Sequence, residues 1–146
     1  DVFGKTALSA QQKNIQLVAD IPQTLPAVVG DVGLIERVLS NLIDNAIRHS
    51  HTNGTTRISL AQQRGQVWVR VIDYGEGIAQ GLRNILLSRP SPFSGKDLGA
   101  RGGLGLLIVR RILQLHESDI EWADTPGGGA TFSFALPTGS SFNQPV

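Results

Sequence analysis

The chain has 146 residues, 40% hydrophobic and 17% charged, which fits one compact domain with a sizeable core. Thirteen basic against twelve acidic residues leave a net charge of +1, which argues against a nucleic-acid or anionic-membrane footprint, and the absence of cysteine excludes disulfide frameworks and cysteine-based zinc sites. Apolar runs stop at four residues, as in Leu106 to Val109, far short of the roughly 20 that a bilayer-spanning helix needs.

In chain order, "QLVAD" (16–20) reads as a short strand and "IPQTLPAVVGD" (21–31) as a connection broken by prolines and a glycine. Asp31 or a neighbour is placed to cap a helix from about Gly33 to Ser50, in which Ile35, Val38, Leu39, Leu42, Ile43 and Ala46 recur at helical spacing. "NGTT" turns the chain into the strand "RISLAQQ" (57–63), and "RG" turns it again into the alternating strand "QVWVRVID" (66–73), an antiparallel hairpin. Tyr74 to Gly103 is rich in Gly, Pro and Ser, with one apolar patch at Leu82, Ile85 and Leu86; a stretch of that length reads as a lid or as a disordered loop. "GLGLLIVRRILQLH" (103–116) is a second helix, and "SDIEWAD" with "GATFSFALP" forms a closing hairpin. The expected domain is 1–137, followed by a flexible tail at 138–146. The order implies an α+β fold: a two-layer sandwich whose mixed sheet carries its helices on one face.

Three stretches carry chemistry. On the first helix, Arg37, Asn41, Asp44, Asn45 and Arg48 share a sector because spacings of three and four lie on one face. Amide oxygens suit a hard divalent cation and a guanidinium suits phosphate, although a solvated polar side would give the same pattern. "DYGEGI" (73–78) follows a strand directly. Asp73 there can stand at a cleft floor and accept from an exocyclic amine while Gly75 and Gly77 let the backbone turn; a plain strand-ending turn is the simpler alternative. "GARGGLGLLIV" (99–109) sets glycines ahead of a helix, where backbone N–H groups and the helix's positive end favour phosphate. It is no Walker motif, since no Lys-Ser or Lys-Thr follows, and no dinucleotide fingerprint, since no strand precedes it.

Together, Asn-x-x-x-Asn-Ala, Asp-x-Gly-x-Gly-Ile and Gly-Gly-Leu-Gly-Leu, with "GDVGLIERVLSNLIDNAIRHS" and "GGGATFSFALP", resemble the boxes of the GHKL ATP-binding superfamily, most closely the catalytic domain of bacterial sensor histidine kinases. The likeness runs from about Ile15 to Pro137. It implies the mostly antiparallel α/β sandwich of that superfamily (the Bergerat fold) and binding of ATP with Mg²⁺. By position, Asn45 corresponds to the magnesium ligand, Asn41 to the residue supporting the phosphate side and Arg48 to a phosphate contact, and these three are the implied catalytic set. His49 corresponds to a residue beside the nucleotide, and Asp73 to the acceptor for the adenine amino group, in a pocket shaped by Gly75, Gly77 and Ile78. Gly103, Leu104, Gly105 and Leu106 correspond to the glycine box that closes over the phosphates.

The hydrolytic members of the superfamily resemble one another in having a glutamate base where this chain has Asn41. An amide cannot take a proton from water as a carboxylate does, so transfer to an already nucleophilic acceptor is favoured over hydrolysis. The resemblance therefore implies γ-phosphoryl transfer to a histidine on dimerisation helices, expected to precede Asp1 in a longer two-component sensor, and then signalling to a response regulator. The chain is expected to be a cytoplasmic domain of an inner-membrane protein, with no nucleic-acid partner and no membrane contact of its own. The lid departs from the usual pattern. "ILLSRPSPFSGKD" puts Leu86 and Phe93 at the aromatic places, and Arg101 replaces a glycine; Lys96 and Arg101 are candidates for meeting the γ-phosphate. His116, in "LQLHESD", lacks the downstream residues of an acceptor motif and reads as structural. A non-catalytic interaction domain and an anti-sigma-type serine kinase are the alternatives.

Overall fold

The computed structural model describes residue 11, residues 13–78 and residues 103–139. The elements run β1 (Gln16–Asp20), α1 (Val32–His49), β2 (Thr55–Gln63), β3 (Gln66–Asp73), α2 (Gly103–Leu115), β4 (Glu121–Asp124) and β5 (Ala130–Pro137). β1 and β3 coincide with the strands expected from alternation, and β2 begins at Thr55, two residues earlier than "RISLAQQ" suggested. The expected lid, including Leu86, Phe93, Lys96 and Arg101, falls almost wholly on 79–102, outside the described residues.

The five strands form one mixed sheet in the order β1-β2-β3-β5-β4. β1 pairs parallel with β2 and the remaining pairs are antiparallel. A parallel pair needs a crossover, and α1 supplies it. The α+β class and the mostly antiparallel sheet are as anticipated.

Alternation along β3 decides what lies under the helices. Val67, Val69, Val71 and Asp73 are buried on one face, opposite Leu136, Phe134 and Phe132 of β5 for the three valines. Onto that face pack Val38, Leu42 and Ala46 of α1 with Leu106, Val109 and Leu113 of α2, each 2% exposed or less. Burying side chains of this size contributes about 1.5–3 kcal/mol each. The same period of two that buries the valines carries Asp73, at the strand's end, to the helix side of the sheet.

Both ends of α1 are tied to distant chain. Asp31 caps its start, the carboxylate accepting from Leu34 N–H at 2.9 Å. His116 sits beside it: Nε2 accepts from Asp31 N–H at 3.1 Å and Nδ1 donates to the Ile112 carbonyl at 2.8 Å. This pairing of α2's end with α1's start supports the structural reading of His116. At the other end Lys13 Nζ donates to the carbonyls of Ile47, Arg48 and Ser50 at 3.0, 2.9 and 2.8 Å. These include orphan carbonyls of a helix C-terminus, where a cation is also favoured by the helix dipole.

Residues 138 and 139, expected in the tail, are held against the sheet, and 140–146 lie outside the described residues. Thr138 is buried, donates its N–H to Gly65 O at 3.0 Å and bridges Val28, and Gly139 N–H donates to Ala27 O. Backbone pairing across the sheet's end outweighs the polar composition that suggested a loose segment. Among the described residues no helix is long and apolar enough to cross a membrane.

Candidate functional site

The polar sector of α1 divides on folding. Arg37 and Arg48 are exposed, Asn41 and Asp44 are half-buried, and Asn45 is buried at 5% exposure. A merely solvated polar face would leave all five in water. Instead, among the described residues, Asn45 Oδ1 and Asn41 Nδ2 are buried without a hydrogen-bond partner, a state that costs about 1–3 kcal/mol for each group. Nature tolerates such orphans at sites that await a ligand. Asp44, one turn before Arg48, has its carboxyl pushed up from the ordinary value by burial, with the Arg48 guanidinium acting in the opposite sense.

Asp73 lies beneath Asn45's helix at 1% exposure. Its Oδ1 accepts from Gly75 N–H at 3.0 Å and from Ala130 N–H at 3.2 Å. Both bonds fall on one oxygen, so Oδ2 takes neither. Burial raises the Asp73 pKa, and the two N–H bonds and nearby His49 pull it back only in part. A buried carboxylate with one oxygen held and the other spared is well equipped to accept from a donor in the adjoining space.

The turn after β3 is compressed against the end of α1. A Cβ at Gly75 would lie 1.8 Å from the His49 carbonyl oxygen, and Glu76 N–H donates to that same oxygen at 3.3 Å. Gly77 follows at φ +86°, where a side chain is strained. His49 lies over the turn: Nδ1 stands 3.8 Å from Glu76 Oε1, and among the described residues Nε2 is buried without a partner. Between these elements lies a shallow depression, lined by Asn45 and His49 of α1, by Asp73, Gly77 and Ile78, and by Ala130 and Phe132 of β5. An aromatic and aliphatic wall with one carboxylate and one imidazole suits a flat heteroaromatic ring carrying an amine.

The glycine box takes two roles. Gly103 and Leu104 open α2, and Gly105 faces the first helix, where a Cβ would make only ordinary contact with Asn41 Cγ at 4.0 Å. Leu106 is 2% exposed in the hydrophobic core, so its side chain anchors α2 and does not face the cleft. Phe93, Lys96 and Arg101 lie outside the described residues. Among the described residues no group of three His, Asp or Glu converges as a metal cage.

Two features escape sequence reasoning. Thr125, buried at 6% exposure after β4, donates its hydroxyl to the Asp73 carbonyl at 3.0 Å. Gly129 stands so close that a Cβ on it would lie 2.1 Å from the same carbonyl oxygen, with φ +110°. "TPGGG" reads only as a turn; the glycine run is the one local signal that a close backbone approach was needed.

Comparison with known proteins places this arrangement. The family model for histidine kinase-, DNA gyrase B- and HSP90-like ATPases matches residues 30–140. The adaptive-response sensory kinase SasA of Crocosphaera subtropica is 37% identical over 129 residues, covering 86% of this chain and 33% of that protein. The sensor histidine kinase TmoS of Ectopseudomonas mendocina is 38% identical over 131 residues, covering 88% of this chain and 13% of that protein. Among solved structures, the catalytic domain of the histidine kinase ThkA superposes with a TM-score of 0.76 at 27% identity, over 94% of this chain and 88% of that one. The chain belongs to the family of histidine kinase-, DNA gyrase B- and HSP90-like ATPases and is an ATP-binding catalytic domain of the sensor histidine kinase kind. It spans about a third or less of the length of these two curated relatives.

Proposed function

We propose that the domain binds Mg²⁺–ATP between α1, the β3 turn and α2, and donates the γ-phosphoryl group to a histidine on helices of the same longer protein. The observation that carries this reading is the pair of buried, unpartnered amide atoms on Asn41 and Asn45, on the helix edge that borders the Asp73 cleft. In this reading Asp73 Oδ2 accepts from the adenine amino group, and the ring lies against Ile78, Ala130 and Phe132. The phosphates extend toward Asn41, Arg48 and the start of α2, where backbone N–H groups and the helix's positive end favour them.

The donor set fits magnesium better than a metal that needs a full protein cage. Magnesium keeps several waters and is held by one or two protein oxygens with the substrate's phosphates, and Asn45 offers one such oxygen, buried and unpaired. When bound, the ion neutralises charge on the phosphates. Asn41, an amide that cannot act as a base for water, directs the chemistry away from hydrolysis.

The partners implied are the dimerisation and phosphoacceptor helices and, after them, a response regulator. Use of ATP supports a cytoplasmic location, and attachment to a membrane-embedded sensor is part of the same proposal. Incubating the chain with γ-labelled ATP and the full-length protein's helices, supplied as a separate polypeptide, tests the reading. Label that is acid-labile and base-stable, and that is lost with Asn45→Ala, is the expected result. Release of free phosphate with no labelled helices would replace the kinase by a hydrolytic ATPase.

A further inference from the structure

The carbonyl of Asp73 receives an attention that its side chain's task does not by itself explain. Asp73 lies one residue beyond the last β3–β5 pair, Ile72 with Thr131. On that side the sheet ladder has ended, and Thr125 takes over: its hydroxyl reaches the Asp73 carbonyl at 3.0 Å across 52 residues of chain. The same hydroxyl oxygen lies 3.0 Å from Thr131 Oγ1. A hydroxyl has one proton, so with Thr125 donating to Asp73 the Thr131 hydroxyl must donate to Thr125. The result is a directed relay, Thr131 to Thr125 to Asp73.

The turn that carries Thr125 is braced against itself and against Asp73. Thr125 N–H donates to Gly129 O at 3.0 Å, and Gly128 N–H donates to Thr125 O at 2.9 Å. Gly129 backs directly onto the Asp73 carbonyl, and the next residue, Ala130, gives its N–H to Asp73 Oδ1. The segment from Thr125 to Ala130 thus fixes both the main chain and one carboxylate oxygen of Asp73. With the main chain and Oδ1 both held, the planar carboxylate has its Oδ2 direction set.

We propose that Thr125 is a positioning residue for base recognition: by holding the Asp73 main chain it aims Oδ2 at the 6-amino group of a purine and so contributes to selection of adenine. The inference rests on the adenine-binding reading of Asp73 above. A hydroxyl that only stabilised the fold would weaken binding of every nucleotide alike. One that aims Oδ2 matters only to ligands that carry the amine.

The test is a binding titration of the chain with ATP and with purine riboside triphosphate, which lacks the 6-amino group, for wild type, Thr125→Val and Thr125→Ser. Misaiming one hydrogen bond worth about 0.7–1.4 kcal/mol predicts an ATP Kd raised about threefold to tenfold in Thr125→Val. The analogue's Kd is expected to stay within about twofold, and Thr125→Ser to restore ATP binding, so the discrimination ratio falls only in the valine variant. Equal weakening for both ligands, or an unchanged ATP Kd in a folded Thr125→Val, overturns the proposal. Should Thr125→Val fail to fold, Thr131→Val, which removes the donor orienting Thr125, carries the same prediction of a reduced ratio, and an unreduced ratio there overturns the proposal equally. Wild type binding neither ligand marks instead the failure of the ATP-site reading itself.

Discussion

Gly75 and His49 are locked by a main-chain contact that admits no side chain: a Cβ at Gly75 would stand 1.8 Å from the His49 carbonyl oxygen. The turn after β3 and the end of α1 can approach in this way only through a glycine. Gly75→Ala is expected to push the two apart, lowering stability by about 1–3 kcal/mol, the usual range for overpacking. ATP affinity should fall with it, because His49 and Asp73 lie on opposite sides of that contact. Thermal denaturation and nucleotide titration of the variant check both.

Asp73 works against the fold that holds it. Its pKa is raised by burial, so the folded state binds a proton more tightly than the unfolded chain. The associated stability is fully present below the ordinary value near 3.8 and is lost as pH rises through the higher folded-state pKa. At neutral pH the ionised carboxylate is therefore a liability to the fold. Asp73→Asn, which can keep Oδ1 as acceptor for Gly75 and Ala130, should raise Tm at pH 7 and lose that advantage at low pH. It should also weaken ATP binding at least about tenfold, with an N–H now facing the amine, while improving the relative binding of inosine triphosphate, whose ring offers an acceptor there. Melting curves from pH 4 to 8 and parallel titrations separate the two effects.

Asn45 makes a similar bargain. Since its Oδ1 is buried without a partner, Asn45→Leu removes an unsatisfied acceptor and should leave the nucleotide-free domain as stable or up to about 2 kcal/mol more so. Phosphoryl transfer should drop at least about a hundredfold, the scale of a lost electrostatic contact in a transition state. A loss of stability in the free variant would show that Asn45 serves the fold.

Lys13 is a purely structural counterpart. Three carbonyls converge on its ammonium at the end of α1, and Lys13→Met should cost about 1–2 kcal/mol. For a domain of this size that is a fall in Tm of several degrees. Amide hydrogen exchange should rise at Arg48 and His49 before it rises at Val38.

The local parts of this architecture were open to reading from residues alone. Alternation marked β3 from Gln66 to Asp73, and spacing marked α1 to within a residue at each end, with Asp31 as its cap. What stayed hidden depends on residues brought together from far apart. Nothing near β5 says that it inserts between β3 and β4, and nothing near Thr125 or Lys13 announces an acceptor 52 or 34 residues away. The helical sector of polar residues was visible, but its division into exposed Arg48 and buried Asn45 follows only from where α2 and β3 pack. Leu106 shows the same limit: its place in the glycine box suggested a ligand contact, and packing gives its side chain to the core.

The most direct measurement is a calorimetric titration of the chain with a non-hydrolysable ATP analogue, with and without Mg²⁺, on wild type, Asn45→Ala and Asp73→Ala. Saturable binding by wild type, abolition by Asp73→Ala, and loss of the Mg²⁺ dependence alone in Asn45→Ala are the expected results. Absence of wild-type binding at millimolar nucleotide, or binding indifferent to both substitutions, would contradict the ATP-site reading.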